Sequence, residues 1–472
     1  MIFRTTTASA ALILSLGCAT AQTPDLLSPK PFSGGARAPA QPPVLAPVPS
    51  AAPPAAAQTM PEPFYPVPGA AAPVPGAAAA QPAAPKPKKP APVVVRETAI
   101  TNDPTPTFEP LTFYTTAKAA ERYAAIADSG GWPVVPAGVG PGSAGKAVAA
   151  LRRRLQAEGD LPAGSDGEAW GPDLPAAIKR FQARMGLRQT GAMTPGTLRA
   201  MNIPAATRVR QLLSSAQRVA GTNFPFGERW VVVNIPSAAA EAIEGGQVVR
   251  RYTAVVGDIT HRSPEVMTRI QAVNLNPTWT VPQSIIKNEI IPKMRKDPGY
   301  LSRAKIRILD GRGEEVNPRA VDWNTDRAVN YTLRQDSGAA NALGNIRLNM
   351  PNQHAVYMHD TPSKKGFSGD YRFLSHGCVR VEGVFDLAAW TLEGTAGAPA
   401  GRWDSRALQA KVATNERIEL KLAKPVPVIW VYMTGWASSD GTVHFRDDVY
   451  DVDKIGLSMR ETAPDRAAGP LS

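Results

Sequence analysis

Cysteine and histidine are scarce in this chain of 472 residues, with two of the first and five of the second. Two cysteines exclude a disulfide framework, and the scattered histidines form no metal-ligand cluster at sequence level. No metal and no cofactor are therefore expected. Aromatic residues are also few, at 7%. No segment reaches the roughly 18 apolar residues that a membrane-spanning helix needs. Cys18 lies in what reads as an export signal, so Cys378 stands alone in the processed chain. Exported proteins meet an oxidising compartment, where cysteines usually come in pairs. A lone thiol there is a buried passenger or a nucleophile, and with no second cysteine it cannot be lost to an intramolecular disulfide.

The export reading rests on the N-terminus. Met1-Ile2-Phe3-Arg4 supplies a basic residue, Ala10 to Leu16 a short apolar core, and Ala19-Thr20-Ala21 a small-x-small cleavage site. That pattern predicts a signal peptide over 1–21 and a periplasmic protein. Ser15-Leu16-Gly17-Cys18 offers a rival lipoprotein site, weakened by Leu16 where a small residue is usual. Net charge is +12, part of it from Lys86, Lys88, Lys89 and the run Arg152-Arg153-Arg154. Such clusters read first as solvated surface and second as attraction to an anionic envelope polymer. Nucleic acid is a poor partner for an exported protein.

Residues 22–107 are dominated by Pro and Ala in their middle and predict an extended spacer with little to bury. Helical patterning follows over 108–227. Val148, Leu151 and Leu155 recur at helical spacing, as do Ala177, Ile178, Phe181 and Met185, with Gly186 as a stop. Thr194-Pro195 reads as an N-cap with proline at the first helical position. From Trp230 onward the pattern turns to β-rich runs separated by Gly, Pro and Asn. These include 230–235, 248–256, 269–273, 346–348 and 428–432, and Thr442 to Phe445 is expected to pair with the last of them. Pro282 to Met294 looks helical, and about 285–335 reads as an inserted subdomain that caps a substrate groove. The fold class expected is α+β: a mixed sheet with an insertion over 228–455, a small all-α domain before it, and a tail at 456–472.

The chemistry gathers around Ser375-His376-Gly377-Cys378-Val379-Arg380. A cysteine attacks as thiolate, and a nearby imidazole makes that form available. His376 lies two residues before the thiol, on the same face of an extended chain. His359, in Tyr357-Met358-His359-Asp360-Thr361-Pro362, is the better base because a second strand end can be aimed independently. Gly377 lets the backbone approach a substrate, and the amides of Gly377 and Cys378 could hold an oxyanion. Arg380 could grip a carboxylate. These features alone predict a cysteine acyl-transfer enzyme.

The order His359-x15-Ser375-His376-Gly377-Cys378 resembles the signature of the L,D-transpeptidases of YkuD type. Tyr331-Thr332-Leu333-Arg334-Gln335, Asn341-Ala342-Leu343-Gly344, and the set Asn274, Pro277, Trp279, Val281 and Pro282 point to the large periplasmic branch. Residues 143–203 resemble the type 1 peptidoglycan-binding domain through Asp166-Gly167, Trp170-Gly171-Pro172, Phe181-Gln182 and Thr190-Gly191. The resemblance implies Cys378 as nucleophile, His359 as base and the Asp360 carbonyl as its holder. His376 and Gly377 would support thiolate and oxyanion, and Ser375, Arg380 and Tyr357 would contact substrate. It implies peptidoglycan stem peptides and glycan as partners, 3-3 cross-links as product and carbapenem β-lactams as inhibitors. An envelope protein remains open as an alternative acceptor, and so does a non-catalytic wall-binding role.

Overall fold

The computed structural model describes residues 98–453. The signal peptide, most of the Pro/Ala segment and the C-terminal tail lie outside the described residues. No helix among the described residues is long and apolar enough to cross a membrane.

Five helices come first: α1 (Thr112–Asp128), α2 (Lys146–Ala157), α3 (Asp173–Arg184), α4 (Pro195–Met201) and α5 (Ala205–Val219). Val148, Leu151 and Leu155 on α2 meet Ala177, Ile178 and Phe181 on α3 in one core, and all six are fully buried. The hydroxyl of Thr194 accepts from the Thr197 amide at 3.1 Å, capping α4 ahead of Pro195. Gly186 ends α3 with φ +66°, and a Cβ there would lie 2.5 Å from the Arg446 guanidinium.

The basic run on α2 departs from expectation. Arg153 is exposed, but Arg152 and Arg154 are buried. Arg152 forks onto Asp173 at 2.7 and 3.0 Å. Arg154 lies 3.8 Å over the Trp132 ring and pairs with the buried Glu158, which also holds Arg184 at 2.7 Å. Burial alone would raise the Glu158 carboxyl; Arg184 and Arg154 overcome it and hold the group below the usual carboxylate range. The periodicity of α2 marks its apolar face but carries no sign of the acids one turn away.

Strands β1 (Arg229–Asn234), β2 (Ala239–Glu244), β3 (Gln247–Gly257) and β4 (Val266–Leu275) open the second part. Four short strands follow: β5 (Trp279–Thr280), β6 (Ile306–Leu309), β7 (Glu315–Val316) and β8 (Thr332–Gln335). They form their own sheet in the order β5-β8-β6-β7. Its apolar core runs from Trp279 to Leu343, wider than the stretch expected as an insertion. Then come β9 (Ile346–Asn349), β10 (Met358–His359), β11 (Phe373–Ser375), β12 (Val379–Val381) and β13 (Ile418–Val431). With β1 to β4 they make a nine-stranded mixed sheet, ordered β11-β3-β12-β10-β9-β4-β13-β1-β2. β3 is long enough to pair with β2 through its first half and with β12 and β11 through its second, so the path of pairings closes on itself. The enclosed core includes Val231, Ile270, Leu348, Met358 and Trp430. The α+β architecture with a helical domain agrees with the sequence expectation.

Between β5 and β6 the chain forms α6 (Gln283–Ile285), a π turn (Ile286–Ile290) and α7 (Ile291–Lys296). Pro292 has no N–H to give the carbonyl four residues back, and the helix widens ahead of it. This wide turn carries Glu289.

Two segments tie the halves together. β14 (Gly435–Ala437) pairs with β15 (Val443–Phe445) rather than β15 with β13. The expected pairing fails because this hairpin turns away from the main sheet and buries Ala437, Val443 and Phe445 in the helical core. Arg184 donates to the Val443 carbonyl at 3.3 Å and Arg446 returns a bond to the Arg184 carbonyl at 2.9 Å. Residues 98–107, expected as the end of the spacer, instead form an ordered strap. Arg251 donates to the carbonyls of Thr101 and Asp103 at 2.7 Å each, and Thr107 bonds Glu241 through amide and hydroxyl at 2.8 and 2.7 Å. Side-chain to main-chain bonds of this kind need no hydrophobic period, so the strap leaves no pattern in the sequence.

Arg184 holds Glu158, Asp160 and the hairpin at once. Arg184→Met should cost about 3–5 kcal/mol in chemical denaturation, because it strands buried carboxylates. An unchanged midpoint would remove this network from the account of stability.

Candidate active site

β11 and β12 both pair with β3, one parallel and one antiparallel, and residues 376–378 make the bend between them. Gly377 has φ +105°, while a Cβ there would find ordinary contact distances. It is the backbone conformation that calls for glycine, not a lack of space. The bend also changes the geometry expected of an extended chain: His376 and Cys378 do not sit as i and i+2 of a strand. β10 lies between β9 and β12, and its register sets His359 opposite Arg380. A cavity of about 30 Å³ is lined by Cys378, His359, His376, Ser375, Arg380 and Tyr357 together with Trp279, Ile285, Ala342 and Leu343. The first six are residues singled out from the sequence; the last four are the wall contributed by the small-sheet layer.

His359 is buried, and its Nδ1 is bonded to the Asp360 carbonyl. A carbonyl can only accept, so Nδ1 carries the hydrogen and Nε2 keeps the lone pair. The Asp360 carboxylate is held separately, by Lys364 and by the Asn345 amide at 2.9 Å. Gly344 makes room for it, since a Cβ there would lie 2.5 Å from the Asp360 carboxyl. Tyr357 meets His359 edge to face at 5.6 Å.

Ser375 and Gly377 behave differently from expectation. The Ser375 hydroxyl donates to the Cys378 carbonyl at 2.5 Å and accepts from the Gly377 amide at 3.2 Å. The Gly377 carbonyl accepts from Ser263 at 2.8 Å. Ser375 is 1% exposed and braces the bend from beneath, at the floor of the cavity it helps to line. The Gly377 amide is bound to Ser375 and is not aimed into the cavity as an oxyanion donor.

His376 stacks on His261, with ring centres 4.6 Å apart and planes 16° from parallel. Its Nε2 is 3.5 Å from Glu289 on the π turn, and its Nδ1 is buried without a partner. Asp258, His261 and His376 each offer a ligand atom within 4.8 Å of the others. Imidazole lone pairs lie in the ring plane, so two parallel rings send theirs side by side and do not converge on one ion. His261, Ser263 and Glu289 escaped the sequence reading; no local motif marks a loop or a proline-widened turn as a neighbour of the thiol.

Electrostatics are set by burial. Desolvation pushes the Cys378 thiol up to about 11, against a bond from the Tyr357 backbone and the charges of Arg380 and Arg347. Desolvation and Arg380 push His359 down to about 3; desolvation, with His261 and Arg380, does the same for His376. The resting site therefore holds a neutral thiol and neutral imidazoles, not the ion pair that adjacency in sequence suggests. Arg380 is 8% exposed and forms no ion pair among the described residues. Its charge acts on the sulfur, whose ionised form would in turn hold the guanidinium in its charged state.

Comparison with known proteins finds relatives over both parts of the described chain. Residues 228–402 match the family model of the L,D-transpeptidase catalytic domain, which contains His359 and Cys378. Residues 144–201 match the "Putative peptidoglycan binding domain". The chain thus contains one segment similar to the L,D-transpeptidase catalytic domain and, before it, one similar to the peptidoglycan-binding domain. A Haemophilus influenzae protein named "Putative L,D-transpeptidase" is 32% identical over 246 residues, 52% of this chain and 48% of that protein. The match spans about half of the relative's length. Among solved structures, an L,D-transpeptidase from Mycobacterium smegmatis aligns over 43% of this chain and 58% of its own at 17% identity and TM-score 0.22. One from Stackebrandtia nassauensis aligns over 63% and 96% at 14% identity and TM-score 0.21.

Arg380→Met should raise the thiol pKa further and slow iodoacetamide alkylation of Cys378 at fixed pH, about tenfold per pKa unit. An unchanged rate would deny Arg380 its electrostatic role. The two histidines also predict acid sensitivity. With folded pKa values near 3 against 6.5 when free, they are proton-poor in the folded state. Their contribution is intact above about pH 6.5 and is lost as pH falls toward 3. His359→Gln should flatten that decline in denaturation midpoints measured against pH; an identical slope would contradict the depressed value.

Proposed function

We propose that this protein is a peptidoglycan L,D-transpeptidase that forms 3-3 cross-links through a Cys378 thioester. The observation that supports it is a single small cavity holding a buried thiol, a base with its lone pair on Nε2, and an unpaired guanidinium, in a domain of that family. Cys378 Sγ attacks the carbonyl carbon of the third stem residue as His359 Nε2 takes its proton. The carbon–nitrogen bond to the terminal D-alanine breaks, and His359 returns the proton to the leaving amine. An amine of a second stem then attacks the thioester, gives up a proton to His359, and the carbon–sulfur bond breaks with that proton passing to sulfur. Arg380 stabilises the charge that develops on sulfur and oxygen. Thiol, base and cation suffice, and the route draws on no metal or cofactor. We place the protein in the periplasm, exported by residues 1–21, with the helical module near the wall.

Intact mass after incubation with a carbapenem should show one covalent adduct that disappears in Cys378→Ala. An adduct that survives would overturn the nucleophile. Overproduction should enrich 3-3 linked muropeptides; stems attached to a protein amine would keep the thioester and replace the acceptor, and free tripeptide alone would make the protein a carboxypeptidase.

A further inference from the structure

Cys378 sits between two peptide planes, and the direction of its side chain follows from how those planes are set. The plane after it is held from within the motif region. The Cys378 carbonyl accepts from Ser375 at 2.5 Å, and the Val379 amide donates to the Tyr357 carbonyl at 3.0 Å. The plane before it contains the Gly377 carbonyl, which accepts from the hydroxyl of Ser263, 114 residues earlier, at 2.8 Å. Gly377 has φ +105° and no Cβ, so local sterics alone do not fix that plane. Ser263 is itself held. Its hydroxyl accepts from the Gly257 amide at 2.9 Å, and its amide donates to the Tyr450 hydroxyl at 3.2 Å. Tyr450 donates in turn to the Gly257 carbonyl at 2.6 Å, which closes a ring of hydrogen bonds on the end of β3. Gly257 permits the close approach: a Cβ there would lie 2.3 Å from the His261 carbonyl oxygen and 2.4 Å from the Ser263 nitrogen. Tyr450 stacks on Tyr432 at 5.2 Å and donates its amide to the Tyr432 hydroxyl at 2.8 Å, while that hydroxyl donates to Asp448 at 2.6 Å. Asp453, at the end of the same segment, is bound by Ser214 and Arg218 of α5 at 2.7 and 2.9 Å.

Ser263 and Tyr450 are both buried, and both direct their hydroxyls at the backbone that carries the thiol. We propose that Ser263 and Tyr450 are positioning residues for the reaction at Cys378: they hold the Gly377–Cys378 peptide plane, and with it the sulfur, in line with His359 Nε2. Neither touches substrate. Ser263 acts through Gly377, and Tyr450 acts through Ser263. Cys378 is protonated at rest, so attack requires proton transfer to His359 as the new bond forms, and that transfer depends steeply on donor and acceptor geometry. Alkylation by iodoacetamide needs the thiolate but no aimed base, so the two reactions separate aim from ionisation. This inference rests on the transpeptidase reading for the substrate but not for the aim of the sulfur at its base.

The test uses the full chain and two readouts: release of D-alanine from a tetrapeptide stem, and the pH midpoint of Cys378 alkylation by iodoacetamide. Ser263→Ala should lower kcat by about tenfold or more with KM nearly unchanged, while the alkylation midpoint stays in place. Tyr450→Phe removes one oxygen and should lower kcat by a smaller factor. The double variant should lose no more than Ser263→Ala alone, because both residues act through one peptide plane. An unchanged kcat in either single variant, or additive losses in the double variant, overturns the proposal. So does an alkylation midpoint that moves along with kcat, since the loss is then one of ionisation and not of aim. If Ser263→Ala fails to fold, Tyr450→Phe decides on the same two readouts. A wild-type chain that releases no D-alanine overturns the transpeptidase reading instead. Nitrophenolate release from p-nitrophenyl acetate, which also needs an aimed thiol, then takes the place of kcat with the same expected pattern.

Discussion

A guanidinium buried beside a thiol, with no carboxylate to balance it, is the constraint on which the site depends. Removing an arginine from water costs several kcal/mol that a partner anion normally offsets. Arg380, 8% exposed, has no such partner among the described residues. The anion it matches is the one that the proposed reaction would create, on sulfur and then on the carbonyl oxygen. Strand register enforces the arrangement: β10 and β12 pair so that Arg380 lies opposite His359, one residue past the strand's entry from Cys378. Burial above all, with the same charge adding to it, lowers the pKa of His359 and His376, which keeps both imidazoles neutral and His359 able to accept. One residue thus favours ionised sulfur and a neutral base together.

The halves of the described chain are coupled by contacts that neither could satisfy alone. The β14–β15 hairpin leaves the catalytic sheet and completes the helical core, and the 98–107 strap is held by Glu241 and Arg251 of the main sheet while Ala99 bonds Gly186 at the end of α3. Arg446 reaches back to the same helix end. A module fixed at three places presents its surface at a set position relative to the thiol cavity. Such a module is a fixed platform and not a tethered hook.

What was legible in the sequence follows a physical rule. The α2 and α3 stripes, the Thr194 cap and the β-rich runs were readable because period and capping are local. The thiol and its motif were readable because Ser375 to Arg380 are contiguous. Long-range choices were not: Thr442 to Phe445 reads as a strand, but its partner is decided by where the hairpin docks. Arg152 and Arg154 look like solvated charge because their partners, Asp173, Glu158 and Arg184, are spread over two helices. Glu289 reaches His376 only because Pro292 widens the helix.

Burial of the thiol also bears on its survival. The thiolate is the form that climbs the oxidation ladder, so an exposed low-pKa cysteine reacts with oxidants as readily as with substrate. Held near 11, Cys378 is protonated at neutral pH and 7% exposed, and slow to oxidise. In the proposed reaction the cost is that the resting site has no ready nucleophile. Attack must be concerted with proton transfer to His359, and a base of depressed pKa accepts that proton reluctantly unless charge is compensated nearby. Arg380 stabilises the sulfur side and the Asp360 carbonyl the imidazolium side, through the hydrogen on Nδ1. A substrate that fills the cavity and displaces water strengthens both interactions, since electrostatic effects grow as the local dielectric falls. Reactivity is thereby tied to occupancy: the same desolvation that keeps the empty site inert makes its preset charges effective once a peptide is bound.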